Sequence, residues 1–246
     1  MALRLPGLSS TSLPTGPGLA ETLRALEPPR EGYLQLTVRD AGGDRDVVVF
    51  FYAGSVFCAG VCTGDRFFPL ALDRLNDSLG DAVAAAVAAR VVVADLALFL
   101  CGAVLFRKAP SAHVPANLVD GETVLKNVAA LGKDAVVVIA RGDARSFCFC
   151  RGGVPVKLYA AEGEGFATDG PLADRVVDYV YRHAGADQTA VSLDLYDDIR
   201  LQAGATAYTN LQAYRAGDIS GSRAVANTVG DTGTAFASGA AGAWAG

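Results

Sequence analysis

Four of the five cysteines of this 246-residue chain fall into two close pairs, Cys58 with Cys62 and Cys148 with Cys150. Four thiolates brought together can form a tetrahedral zinc site, and facing thiols can form a redox couple. The spacing opposes zinc. Structural zinc ligand pairs come from turns of the Cys-x2-Cys kind, whereas these four lie in apolar runs where a thiol packs as a small hydrophobe. Residues an even number apart on a strand share a face, so the side chains within each pair point alike. Core packing is the expectation for all four, with redox thiols at Cys58, Cys62, Cys148 and Cys150 as the alternative. Cys101, alone in a longer apolar stretch, is read as core.

The two histidines, His113 and His183, stand in no recognisable frame. A nucleophile–histidine system needs both groups within hydrogen-bond reach, and no Gly-x-Ser-x-Gly elbow places one. Asp194, Asp197 and Asp198 offer carboxylates to a divalent cation, but their spacing is not that of a calcium loop, and a solvated helix or loop end accounts for them. Glycine-rich pieces at Ala41-Gly42-Gly43, Arg151-Gly152-Gly153 and Glu162-Gly163-Glu164-Gly165 lack the strand–loop–helix frame of a phosphate cradle and are read as hairpin turns. The chain is therefore expected to carry no catalytic residue, no metal and no cofactor.

Composition narrows the class further. With 51% apolar and 19% charged residues the chain must build a real core, and its length suits one large or two small domains. A net charge of −5, with 21 scattered Lys and Arg, argues against nucleic acid as partner. Ala82 to Phe106 is the most membrane-like stretch, but Arg90 and Asp95 interrupt it, and the charge-free remainder from Leu96 to Phe106 is too short to span. The odd number of cysteines and the absence of a secretory pattern at the start point to reduced thiols and a cytoplasmic location.

Periodicity defines the elements that carry these residues. Residues 1–17 read as an arm, mobile or ordered on contact. In 18–80, Leu19, Leu23 and Leu26 mark one helix face, Pro28-Pro29 ends it, and strands come next at Tyr33 to Val38, Val47 to Tyr52 and Ser55 to Cys62, with a tight turn at Ala53-Gly54. The same order recurs in 119–202: a helix at Val124 to Leu131, then strands at Ala135 to Ala140, Ser146 to Cys150 and Val154 to Ala160. This suggests a tandem duplication. Residues 81–118 read as an apolar connection of one or two buried helices. Residues 203–246 are nearly half Gly or Ala and read as a flexible tail, in which Phe236 and Trp244 could meet a partner. The strands at Val47 and Ser146 are apolar on both faces, so each sheet needs cover on both sides, and an edge-to-edge homodimer is one way to supply it.

The stretch from Leu19 to Gly60, with Leu23, Leu26, Gly32, Leu34, Leu36 and then Phe51-Tyr52-Ala53-Gly54-Ser55-Val56-Phe57-Cys58-Ala59, resembles the PATAN family of small bacterial α/β signalling domains. Val124 to Arg182 resembles it more loosely, with Leu158 at the position of Ala59. The resemblance implies a non-catalytic adaptor that docks signalling proteins such as receiver domains. A second likeness joins Leu34 to Leu70, with Val47-Val48-Val49, Gly60, Gly64 and Phe67-Phe68, to the central hairpins of ribosome-inactivating N-glycosidases. Their purine site needs a helical Glu-x-x-Arg, and Asp95 to Phe106 has neither residue, which implies an inactive relative. The sequence thus predicts an α+β protein of two related helix-plus-antiparallel-meander halves joined by buried apolar helices. It would act as a protein-interaction or signalling adaptor, or as a small-molecule or redox sensor using the cleft between the halves, with an unrecognised enzyme as the third reading.

Overall fold

The fold comes from a computed structural model that describes residues 2–116, 121–161, 170–184 and 191–199. The first half runs β1 (Ser9–Ser12), α1 (Pro17–Ala25), β2 (Glu31–Asp40), β3 (Gly43–Tyr52), β4 (Ser55–Thr63), β5 (Arg66–Leu70), α2 (Leu75–Ala85) and β6 (Ala86–Val93). Helix α3 (Leu96–Arg107) comes next. The second half runs β7 (Ala112–Pro115), α4 (Gly121–Leu131), β8 (Ala135–Arg141), β9 (Ala144–Arg151), β10 (Val154–Tyr159), α5 (Leu172–Ala184) and β11 (Val191–Asp197). The expected tail at 203–246 lies outside the described residues.

The architecture is α+β, with two antiparallel sheets. The strand order is β1-β6-β2-β3-β4-β5 in the first and β7-β11-β8-β9-β10 in the second, so one plan occurs twice with β5 as an addition. In each half the last strand returns between a short leading strand and the first strand of the meander. Strand β3 has 10 residues and its counterpart β9 has 8. In both, alternate side chains turn to α3, Val48 and Phe50 from β3 and Phe147 and Phe149 from β9.

The apolar faces decide the layering. Helices α1 and α2 cover the outer face of the first sheet through Leu19, Leu23, Leu75 and Leu79, and α4 and α5 cover that of the second through Val124, Leu125, Val128 and Val180. Both inner faces close on α3, which packs Leu98, Phe99, Leu105 and Phe106 against Val48 and Phe50 on one side and Phe147 and Phe149 on the other. A helix walled by sheet on both sides is apolar all round, and α3 is. Two glycines permit its close approach: a Cβ at Gly60 would overlap the Phe106 ring, and one at Gly102 would lie 2.8 Å from Phe50 Cε1. The faces expected to need a second chain are thus covered by this one.

The apolar connection differs from the expectation. Among the described residues of 81–118, α3 is the one wholly contained helix, and Ala86–Val93, expected as helix, pairs with β2 as the strand β6. The uniform Ala/Val run gave helix and strand the same appearance. The N-terminal arm is ordered by contact: Leu3 and Leu5 are buried between the sheets. The Leu3 amide donates to Asp46 Oδ2 (2.6 Å), Gln35 Nε2 donates to the Leu3 carbonyl (2.7 Å), and the Leu8 amide donates to the Val93 carbonyl (2.9 Å). On the other side the Arg4 amide donates to the Asp143 carbonyl and the Arg145 amide to the Arg4 carbonyl, both at 3.0 Å. The arm is a strap that ties one sheet to the other.

Sheet edges are blunted. Strands β1 and β7 have four residues each, and β5, β7 and β10 carry Pro69, Pro115 and Pro155, which have no N–H to offer a neighbour.

Candidate functional site

Helix α3 has 12 residues and stops at Arg107, with Pro110 close behind. The inner face of the second sheet extends beyond this end, and its composition changes there. Under the helix lie Val136, Val138 and Phe147, whereas Ser192, Asp194 and Arg145 occupy the same face past its terminus. The space left is a pocket of about 580 Å³. Asp65, Phe67 and Pro69 of the first half wall one side, the end of α3 forms the floor, and His113, Arg145 and Tyr196 of the second half wall the other.

Arg145 is the unusual residue of this pocket. It is 4% exposed. Its Nη1 donates to the carbonyls of Gly142 (2.6 Å) and Ala144 (2.9 Å), and its guanidinium carbon stands 5.5 Å from the Phe67 ring centre. The described residues put no carboxylate at ion-pair distance from it and give its Nε and Nη2 no hydrogen-bond partner. Burial draws its pKa down from the ordinary value, with the more distant Asp194 and Asp65 acting against that. His113 pairs through Nδ1 with Asp194 Oδ1, across neighbouring strands β7 and β11. Lys108 donates to the Asp197 carboxylate (2.9 Å) and backbone carbonyl (2.6 Å).

Neither family models, curated proteins nor solved structures include one that matches this chain. Its site is read from its own geometry.

The cysteines lie elsewhere. Cys58 and Cys62 share the inner face of the first sheet, Cys101 is buried within α3, and Cys148 and Cys150 point to the outer face of the second sheet among residues of α4 and α5. The two pairs therefore face different layers, and none of these thiols lines the pocket. Burial pushes Cys58 and Cys62 up to about 12. Cys148 and Cys150 meet at 3.8 Å between sulfurs, and this contact together with burial holds Cys148 protonated. Of the acidic cluster, Asp194 and Asp197 are engaged as described, and among the described residues no group of three or more His, Cys, Asp or Glu is placed to hold a metal. The turns Ala41-Gly42 and Gly152-Gly153 are hairpin turns, while Glu162 to Gly165 lie outside the described residues. His183 ends α5, and its side chain is outside them too. No described helix is long and apolar enough to cross a membrane.

Sequence reasoning missed Arg145, Tyr196 and the His113–Asp194 pair. Alternation at Val191, Leu193 and Leu195 is a strand signal that would have put Asp194 on a sheet face, but its partner stands 81 residues away.

Proposed function

We propose that this chain is a non-catalytic binding module whose ligand occupies the pocket at the end of α3. One observation carries the reading: both halves and their shared helix wall the same pocket, so an occupant touches all three. A ligand that prefers one arrangement of the halves shifts the protein toward it. With a small molecule as occupant the chain is a sensor, and with a segment of another protein it is an adaptor. The adaptor form agrees with the PATAN resemblance, supported by the order α1–β2–β3–β4 under the residues that carry it. Phe68, half exposed on the edge strand β5, offers such a partner an apolar contact. The unpaired thiols support a cytoplasmic location. An edge-to-edge homodimer would have to form at short or proline-bearing edges, so partners are sought first at the pocket.

The test is a thermal-shift screen of the full chain against metabolites and peptides, repeated with Ser192→Trp, which puts a bulky indole on the pocket lining. Loss of each response in the variant, with an unchanged circular dichroism spectrum, is expected. Responses that persist would place binding elsewhere and overturn the reading.

A second reading, an enzyme, rests on the His113–Asp194 pair, because a carboxylate on Nδ1 leaves Nε2 free to take a proton. Ester hydrolysis by the wild type that His113→Gln abolishes would establish it in place of the first.

A further inference from the structure

The pocket does more than offer volume: its chemistry selects an occupant. This inference rests on the reading of the pocket as a binding site. Removing a guanidinium from water costs several kcal/mol, and buried arginines ordinarily recover this through a carboxylate partner. Arg145 has two carbonyl acceptors, both on Nη1. The carbonyl end of α3 favours a nearby cation, but only weakly beside that cost. Arg145 lines the pocket, and the Nε and Nη2 donors that its two hydrogen bonds leave over are the pair of the planar fork that binds a carboxylate through two parallel hydrogen bonds.

The remaining lining limits the charge and shape of the occupant. Asp65 and Asp194 border the same space, while of its other cations Lys108 is engaged by Asp197 and Arg107 lies over the Phe57 ring, so the two carboxylates repel a dianion more strongly than a monoanion. Phe67, Phe106 and Tyr196 supply apolar wall. The volume of about 580 Å³ falls within the roughly 300–1,000 Å³ range of small-molecule sites. We propose that the pocket binds a monocarboxylate with an apolar or aromatic body, its carboxylate on the free side of the Arg145 guanidinium and its body against Phe67 and Phe106. A free organic acid and the C-terminal carboxylate of a peptide share this chemistry.

Calorimetric titration of the full chain tests this with 3-phenylpropionate, its carboxamide, inorganic phosphate, and a short peptide ending in phenylalanine as free acid or amide. Binding of 3-phenylpropionate or of the free-acid peptide is expected, with no response to phosphate or to either amide. Preference for the small acid over the peptide identifies a metabolite source, and the reverse identifies a protein terminus. Arg145→Lys should weaken binding about tenfold by losing the fork. Asp65→Asn, at an exposed turn position, should tighten it about threefold by removing a like charge. If Arg145→Lys fails to fold, Asp65→Asn decides alone: tighter binding supports the assignment and unchanged affinity overturns it. Equal binding of acid and amide would overturn the carboxylate assignment while leaving the pocket a binding site. If neither acid binds, the assignment fails, and the metabolite and peptide screen decides whether the pocket binds anything else.

Discussion

Ala53 holds a left-handed backbone, with φ 50°, in the turn between β3 and β4, and Gly54 is next at 73°. Two successive positive φ values make the tight hairpin turn that matches strand twist, and an L-residue there costs about 1–2 kcal/mol. The corresponding position in the second half is Gly152, at 54°. Ala53→Asn, which tolerates this region, should therefore raise stability by about 1 kcal/mol, read as a higher urea midpoint with unchanged slope. The thiols give a second expectation at this scale. Four are buried and Cys58 is partly so; the contact with Cys148 lowers the Cys150 pKa, but burial keeps a reagent from its sulfur as from the others. Ellman's reagent should react slowly with the native protein and with all five cysteines in denaturant; rapid reaction of two or more in the native state would contradict the buried assignment. The common direction of each cysteine pair was legible from parity alone. The layer each pair faces was not, because it depends on which helices cover which sheet.

At the scale of elements, the helices and central strands were legible where periodicity and turn residues agreed, as at Leu19 and Leu23 of α1, which ends one residue before Leu26, and at Gly152-Gly153. Strand β6 was not, because α2 passes into it between Ala85 and Ala86 without a turn residue to mark the change. Strand β7 carries four residues, too few for a pattern, and its pairing with β11 is long-range. Since the pocket is built from β5, β7, β9, β11 and the end of α3, elements from both halves, its legibility suffered most. Helix α3 is fixed at its other end by Asp95, which caps it through the Leu98 amide (2.9 Å) and accepts from Lys157 Nζ (2.6 Å) and Tyr159 Oη (2.7 Å) of β10. Burial alone would raise the Asp95 pKa, but the hydrogen bonds from Lys157, the Leu98 amide and Tyr159 prevail and hold it below the ordinary value. A carboxyl depressed in the folded state stabilises the fold above the ordinary carboxylate range, and that contribution is lost as pH falls through the lower folded value. Asp95→Ala should cost about 1 kcal/mol near neutral pH, and its deficit against wild type should shrink as the pH of thermal melts is lowered below about 4.

The whole molecule is one plan used twice, closed on a single apolar helix and strapped by residues 2–8. The shared plan of the two halves was visible in the sequence as element order rather than identity, because apolar residues keep their faces while other positions differ. The strap was not foreseen as a tie between the halves, since Leu3, Arg4 and Leu5 carry no period of their own. Its anchor is Asp46, buried at 2% exposure, which accepts from the Leu3 amide, Gln35 Nε2 and Thr37 Oγ1. Asp46→Ala strands these donors and should cost about 2–4 kcal/mol in urea unfolding. Deletion of residues 1–8 should lower the melting temperature and split the single transition into two, one for each sheet; a single unshifted transition would show that the strap does not couple them. The strap also sets an order of events during synthesis. Arg4 is made 139 positions before its partner Asp143, so at about 5–20 residues per second it waits roughly 7 to 28 seconds. The strap is thus docked only once the second half has been made, and until then Leu3 and Leu5 remain open to any chaperone that binds exposed apolar segments.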